Sequence, residues 1–197
     1  MAFTLHELAH AYIAYKFGDP TAKNEGRLTL NPLKHLDPIG TILIFIIGFG
    51  WAKPVPVNRF YFKQPRLAGV LVSIAGPLTN LMLAFFAQAT YIALDIASVQ
   101  VPLFVSDLLI TMVSLNILLF VFNLIPLPPL DGYRIIADLV PNHVRPKLTQ
   151  YEQYGGLVFL VIAITPLSKY TITPLFNVTI PAIGQFLGKV VGAIFGL

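Results

Sequence analysis

Three residues near the start of the chain have types and a spacing that could bind a metal ion. His6 and His10 are four residues apart in the segment H-E-L-A-H. On a helix, this spacing puts both imidazoles on one face, one turn apart, where they can bind a single zinc ion. Glu7 lies beside them and could take a proton from a water molecule that the zinc activates. The alternative is that all three are ordinary polar side chains on a solvated helical turn.

A catalytic zinc needs a third protein ligand, because its fourth position is kept for water. The chain has no cysteine, so this ligand must be a nitrogen or an oxygen atom. The strongest candidate is Asp131 in N-L-I-P-L-P-P-L-D-G, where three prolines end an apolar run and Gly132 permits an unusual turn. The competing interpretation is that Asp131 N-caps a helix over 133–139. Weaker candidates are predicted to be interfacial or in surface loops: Glu25, His35, Asp37 and His143.

The composition predicts that a membrane protein positions these residues. Charged residues make up 11% of the 197, against about 25% in soluble domains, which is too few to cover a water-facing surface. The net charge of +4 is small and no basic stripe with interleaved aromatics occurs, so no nucleic acid partner is expected. No repeat or linker divides the chain, and residues 1–197 are interpreted as one integral-membrane domain.

The hydrophobic pattern predicts a mostly α-helical, polytopic transmembrane bundle. Residues 67–94 contain no charged side chain and are long enough to span a bilayer, and so are residues 108–127. A helix is also predicted over 1–17, stopped by glycine and proline. Two weaker membrane helices, each interrupted by proline, are predicted over 155–168 and 171–188.

The apolar run over 39–50 is too short to cross a membrane. It is followed by W-A-K-P-V-P-V-N, whose β-branched residues and prolines do not favour a helix. We therefore expect a short re-entrant β-like hairpin, or a buried strand, near the candidate site. A further hypothesis is that the strand-like region 42–57 pairs with an unwound substrate peptide as an added strand.

Loop charges predict the orientation of the bundle. Eight lysines and arginines lie within residues 16–66, whereas the loop 95–107 carries two aspartates and no basic residue. By the positive-inside rule, segments 16–66 and 131–152 are cytoplasmic and 95–107 faces outward.

This orientation brings the two motifs to a similar depth. At about 1.5 Å per residue, His10 and His6 lie roughly 9 and 15 Å below the cytoplasmic end of the first helix. The span over 108–127 runs inward and delivers Asp131 near the same side. A shared metal site requires such a convergence, which favours Asp131 as a ligand over its interpretation as an N-cap.

The chain resembles the site-2 protease family of intramembrane zinc metalloproteases, in its compact bacterial and archaeal form. The resemblance rests on H-E-L-A-H, on N-x-x-P-x-P-x-x-D-G over 123–132, and on G-P-L-T-N over 76–80, and it covers nearly the whole chain. It implies a zinc-dependent endopeptidase in the cell membrane. The substrate would be a transmembrane protein, cut in or near its membrane-spanning segment.

The resemblance also implies roles for individual residues. One zinc ion would be held by three side chains: His6, His10 and Asp131. Glu7 would be the catalytic base. Asn80 and Asn123 would lie near the substrate or the developing oxyanion, although polar helix packing is the alternative for both.

The sequence departs from the family in one respect, and rival functions stay open. Only five residues precede His6, whereas the family has more apolar sequence there, so part of the first span is expected to be missing. A zinc transporter would use the same ligands but would not need Glu7 as a base. A non-catalytic relative would bind transmembrane helices without cutting them. A soluble zinc peptidase with Glu25 as a ligand does not fit the composition.

Overall fold

The computed structural model describes residues 1–47 and 50–196, and these residues are mostly helical, as predicted. The α-helices of the described residues occur in the order α1 (Ala2–Lys16), α2 (Thr21–Asn24), α3 (Pro38–Ile47), α4 (Pro65–Ile96), α5 (Leu103–Asn123), α6 (Asp131–Leu139), α7 (Arg145–Ile164) and α8 (Ile172–Phe195). Short 3₁₀ helices lie at Pro32–Lys34, Arg59–Tyr61 and Pro166–Lys169.

Three segments of the described residues are long and apolar enough to cross a membrane. They are α4, α5 and Pro166–Phe195, which contains α8. The spans predicted over 67–94 and 108–127 are thereby confirmed, but α5 ends earlier than predicted, at Asn123. The prolines that follow explain this end, because proline has no N–H for the helix and restricts the residue before it.

Helix α4 is the centre of the structure and packs against α1, α5, α6 and α8. Its first residue is Pro65, a position where the missing N–H costs no helical hydrogen bond. Small residues are buried along its length and let the neighbouring helices approach closely: Ala68, Gly69, Gly76, Ala84 and Ala87. α4 is therefore the scaffold on which α1 and α6 are placed.

Helix α8 runs antiparallel to α5. Near the start of α8, the ring of Phe176 lies 6.4 Å from that of Phe122, at the C-terminal end of α5. Further along, a Cβ at Gly184 would lie 3.7 Å from Ile117, which is earlier in α5. The C-terminal end of α8 therefore lies on the side of the bundle where α5 begins.

Helix α7 stays on the opposite side, next to α6 and the end of α5. The Tyr133 hydroxyl in α6 donates a hydrogen bond to the Leu148 carbonyl near the start of α7, at 2.6 Å. Later in α7, the Phe159 ring lies 5.4 Å from the Phe122 ring. The weaker membrane helix predicted over 155–168 lies mostly in α7, which is not among the candidate spans of the described residues.

The β-like hairpin predicted over 39–50 is not found among the described residues. Pro38–Ile47 is helical, and the β-type pairing described is a single antiparallel bridge between Leu36 and Ala52. Residues 48 and 49 lie outside the described residues. Asp37 explains the helix start, since its Oδ1 accepts a hydrogen bond from the Gly40 N–H at 2.8 Å. An apolar run then satisfies its backbone within the helix, which hydrocarbon surroundings favour over an unpaired strand.

Candidate metal centre

Three buried side chains meet where α1 and α6 pack against α4. The Nε2 atoms of His6 and His10 lie 3.0 Å apart, and each lies 3.2 Å from Oδ2 of Asp131. The exposed fractions of these residues are only 5%, 7% and 6%. The two motifs, from the beginning of the chain and from beyond its middle, therefore lie at one point of the structure, and together they could hold a metal ion.

The chemistry of these three atoms fits a cation better than it fits hydrogen bonds. Nδ1 of His10 lies 2.6 Å from the Val72 carbonyl oxygen. Because a carbonyl only accepts, Nδ1 carries the proton, and Nε2 of the neutral ring presents a lone pair. Nδ1 of His6 lies 2.6 Å from Oδ1 of Asn80, with the same consequence. Three acceptors thus face one another, and Asp131 Oδ2 has no hydrogen-bond donor in the described part of the chain.

The spacing of the three atoms fits zinc. Ligand atoms about 2.0–2.2 Å from a tetrahedral zinc ion lie roughly 3.3–3.6 Å from one another. The observed separations of 3.0 and 3.2 Å are close to that range. Two imidazoles and a carboxylate also leave one tetrahedral position for water or substrate, as catalytic zinc sites do.

The histidines lie on one face of α1, which packs against α4. The helix predicted over 1–17 is confirmed, and it ends before Gly18, whose φ of 103° favours glycine. The imidazoles meet α4 at Gly76. A Cβ there would lie 2.4 Å from Nε2 of His10 and 2.6 Å from Cε1 of His6. A side chain at this position would displace both rings, so the site requires glycine.

Asp131 is the first residue of α6. The N-cap is Leu130, and no side chain makes a capping hydrogen bond there. The interpretation of Asp131 as an N-cap is therefore wrong, because its carboxylate faces the imidazoles. Gly132, the second residue of α6, allows the start of this helix to pack tightly against the residue after α5, since a Cβ would lie 2.2 Å from the Leu124 carbonyl oxygen.

The imidazoles also control the charge of Asp131. Burial acts to raise the pKa of its carboxyl, but His10 and His6, when protonated at Nε2, outweigh burial through their charge and their hydrogen bonds and hold this pKa below its usual range. The ionised carboxylate is also the form that binds a cation. In the metal-free centre a proton can occupy the same place, so metal binding is expected to release protons.

The other predicted ligands lie elsewhere. Glu25 and His143 are exposed, and Asp37 caps the start of α3. His35 is fully buried, contrary to its predicted interfacial position, because its Nε2 lies 2.8 Å from the Thr29 carbonyl oxygen within a packed loop. Glu7 is half-buried and does not belong to the three-residue group, so its role as the base stays a prediction.

The two asparagines implied by the resemblance have different surroundings. Asn80 is fully buried, and its Nδ2 donates a hydrogen bond to Asn116 Oδ1 at 3.0 Å while its Oδ1 faces His6. Both polar atoms are used inside the protein, so these contacts orient His6. Asn123 Nδ2 donates to the Leu119 carbonyl at 2.9 Å, one turn earlier in α5. This contact agrees with the alternative of polar helix packing. A contact of either residue with substrate stays a prediction.

Two contributors to the site were missed in the sequence. Gly76 stands in a motif that was recognised, but spacing alone does not reveal that imidazoles pack on it. Asn116 did carry a signal, because a polar side chain in an uncharged span is costly unless it has a partner. Its partner, Asn80, lies in another helix.

The chain is similar to known metalloproteases. Residues 92–165 match peptidase family M50. The chain is 59% identical over 181 residues to YwhC of Bacillus subtilis, named as a candidate zinc metalloprotease, with 90% of this chain and 83% of YwhC covered. It is 33% identical to Rip2 of Mycobacterium tuberculosis, named in the same way, with 84% and 64% covered. It is 31% identical to zinc metalloprotease MJ0392 of Methanocaldococcus jannaschii, with 71% and 32% covered. No solved structure matches the chain.

The family follows from the breadth of this similarity. The match to YwhC extends over most of both chains, and the family match covers the segment with Asp131. The three candidate spans agree with a family of membrane proteins. This chain belongs to peptidase family M50, the site-2 protease family.

Proposed function

We propose that the chain is a zinc-dependent intramembrane endopeptidase that hydrolyses peptide bonds in or near transmembrane segments of membrane proteins. The observation that carries this proposal is the group of three mutually facing acceptor atoms. One zinc ion per chain would be held by these side chains: His6, His10 and Asp131. Zinc at this site would supply Lewis-acid chemistry, which activates water near neutral pH.

Glu7 is the general base in this proposal. It follows His6 directly on α1 and is half-buried, so it is close to the centre without being one of its ligands. Glu7 takes a proton from the attacking water and returns it to the leaving amine, two transfers that a carboxylate within reach of the site can perform.

The centre faces the cytoplasmic side of the membrane in this proposal. Asp138, on the same helix as Asp131, forms ion pairs with Arg59 and Arg145. Both arginines belong to the basic segments that the positive-inside rule assigns to the cytoplasm. Water and the cytoplasmic side of a substrate would then reach the centre from this side.

An extended segment over 53–58 is the proposed place for the unwound substrate, in place of the whole region 42–57. The Lys53 N–H donates to the His35 carbonyl at 2.8 Å, and the Lys53 carbonyl accepts from Arg27 at 2.5 Å. The N–H groups of Val55 and Val57 have no backbone partner within residues 1–47 and 50–196. In this proposal, these groups donate to the added strand.

A proline substitution tests the substrate segment. Val57→Pro removes one N–H from it and is expected to slow cleavage while zinc content is unchanged. Cleavage at the wild-type rate would contradict strand addition at this position.

Metal content and cleavage of a transmembrane peptide test the function itself. The wild type is expected to bind one zinc ion and to cut the peptide. Glu7→Gln should keep the zinc and lose roughly 100- to 10,000-fold in rate, the usual contribution of a general base. Zinc transport into vesicles without cleavage by the wild type would favour a transporter, and bound zinc with neither activity would favour a non-catalytic helix-binding relative.

A further inference from the structure

A chain of side-chain hydrogen bonds connects α5 to the metal centre. Asn116 Nδ2 donates to the Met112 carbonyl oxygen at 2.8 Å. Asn116 Oδ1 accepts from Asn80 Nδ2 at 3.0 Å, and Asn80 Oδ1 lies 2.6 Å from Nδ1 of His6. The exposed fractions of Asn116 and Asn80 are 2% and 0%. Water therefore cannot replace a missing partner at low cost, and every group in the chain must be satisfied within the protein.

The direction of each hydrogen bond in this chain follows from the Met112 carbonyl, the group farthest from the metal centre. The Met112 carbonyl can only accept, so the amide nitrogen of Asn116 must face it. The amide oxygen of Asn116 then faces Asn80, which must present its own nitrogen. The oxygen of Asn80 is left for His6, and an oxygen acceptor requires the proton on Nδ1 of the ring. The neutral imidazole of His6 therefore has its lone pair at Nε2.

We propose that Asn116 is a positioning residue for the metal centre, acting through Asn80 to keep the His6 lone pair directed at the centre. This inference rests on the proposed function, because it concerns the same zinc site. Without Asn116, the Asn80 amide is free to rotate and turn its nitrogen toward His6. The ring would then carry its proton on Nε2, pointing at Asp131 in the place of the metal.

His10 provides a comparison within the same centre. Its Nδ1 contacts the Val72 carbonyl directly, so its tautomer does not depend on any side chain. His6 reaches the same tautomer only through two amides that can rotate. A change at Asn116 should therefore affect His6 and leave His10 unchanged.

The test measures zinc affinity and the tautomers of the histidines in the purified full chain. Zinc affinity is measured by competition with a chelator. The tautomers are measured by nitrogen NMR of the metal-free protein, under conditions in which the spectrum itself shows neutral imidazoles. Asn116→Leu is expected to weaken zinc binding about tenfold, at the lower end of the effect of residues behind a metal ligand. The His6 signal should change from the Nδ1–H form to a mixture, and the His10 signal should not change.

Two variants separate the proposal from general damage to α5. Asn116→Asp in its protonated form donates to the Met112 carbonyl and presents an oxygen to Asn80, so the zinc affinity should stay within about twofold of the wild type. Like Asn116, Asn123 donates a hydrogen bond from its Nδ2 to a backbone carbonyl one turn earlier in α5, in this case that of Leu119. The described contacts of Asn123 do not include Asn80. Asn123→Leu should therefore keep the zinc affinity. If Asn116→Leu does not fold, Asn116→Ser is used in its place. The serine hydroxyl is one bond closer to the backbone than the asparagine Oδ1, so it also fails to reach Asn80.

The outcomes distinguish this inference from the proposed function. An unchanged His6 tautomer in Asn116→Leu, with wild-type zinc affinity, would overturn the role of Asn116. An equal loss of affinity in Asn123→Leu would overturn it too. A wild-type protein that binds no zinc contradicts the proposed function, while the tautomer in the metal-free protein still decides whether Asn116 controls His6.

Discussion

Helix α6 carries two buried aspartates, two turns apart, that face opposite kinds of partner. Asp131 Oδ2 lies 3.2 Å from two imidazole nitrogens that present lone pairs. Asp138 Oδ1 accepts hydrogen bonds from two guanidinium groups, those of Arg59 and of Arg145, the latter at 2.9 Å. The exposed fractions of the two aspartates are 6% and 1%. Burial alone therefore does not separate them.

The two aspartates differ in whether their partners direct N–H hydrogen atoms at the carboxylate. Arginine brings donors and a fixed positive charge, so the Asp138 carboxylate is neutralised within the protein. The imidazoles facing Asp131 have their protons on the far side, at Nδ1, so the charge that neutralises this carboxylate is left to a cation or a proton between the three atoms. A buried aspartate indicates a metal site only when its neighbours are acceptors as well.

The two clusters also meet α4 in parallel ways. A Cβ at Gly76 would lie 2.4 Å from His10 Nε2, and a Cβ at Gly69 would lie 2.1 Å from Asp138 Oδ2. The glycines are seven residues apart, as the aspartates are. The packing of α6 against α4 thus places the candidate metal centre and an ion-pair cluster side by side, and substitutions can separate their roles.

The largest expected effect is that of Asp131→Ala. Loss of one of three ligands should remove zinc and lower peptidase activity by roughly 1,000-fold or more, since both the Lewis acid and its water are lost. Thermal unfolding of the metal-free protein should change little, because the variant also removes a buried charge. Zinc content, cleavage and unfolding of metal-free samples check this; retained stoichiometric zinc would remove Asp131 from the ligands.

Substitution of the two glycines of α4 is expected to give the next largest effects and to separate the two clusters. Gly76→Ala should displace both imidazoles and weaken zinc binding about 100-fold, as misplaced ligands do. Gly69→Ala should displace Asp138 instead and lower the free energy of unfolding by about 1–3 kcal/mol, with zinc affinity nearly unchanged. Both variants are measured by chelator competition and thermal unfolding. Equal zinc affinity in the two would show that the clusters are not independent.

Asp138→Ala is expected to act on stability. It leaves two guanidinium groups without their carboxylate, but these are 35% and 27% exposed and can turn toward water. The cost is therefore about 2 kcal/mol, below the 3–5 kcal/mol of a fully buried broken pair. Unfolding in detergent measures this loss, and zinc titration should give the wild-type affinity. A variant that lost zinc but unfolded normally would reverse the roles assigned to the two aspartates.

Arg145→Lys should give the smallest effect. Lysine keeps the charge but not the planar fork, and Arg59 still pairs with Asp138. We expect a loss of about 0.5–1 kcal/mol in the free energy of unfolding and no change in zinc affinity. Thermal unfolding at two salt concentrations checks this, with Arg134→Lys as a control, because the half-buried Arg134 forms no ion pair within the described residues. A loss in the free energy of unfolding as large as that of Asp138→Ala would mean that the ion pair of Arg59 with Asp138 does not contribute to stability.

Much of the fold and of the site could be predicted from local patterns. The spans of α4 and α5 were predicted because an uncharged run of that length has few other stable structures. His6 and His10 were paired because a helix puts residues four apart on one face. Residues 38–47 are helical where a β-like structure is predicted, because the β-branched residues and prolines that follow suggest a strand, whereas the start of α3 depends on Asp37 and Gly40. The weaker membrane helix predicted over 155–168 lies mostly in α7, which is not among the candidate spans of the described residues because its first half is polar.

By itself, the sequence determined that this chain is a membrane protein and that nitrogen and oxygen atoms alone can bind a metal in it. Both properties follow from composition and from short-range helical geometry, which do not depend on the rest of the fold. The tertiary structure decided that Asp131 faces the imidazoles, whereas Asp138 faces arginines, and that Asn80 lies between His6 and Asn116. The contacts of Asn80 with His6 and with Asn116 join residues 74 and 36 positions apart along the chain, and only the packing of α1 and α5 on α4 brings them together.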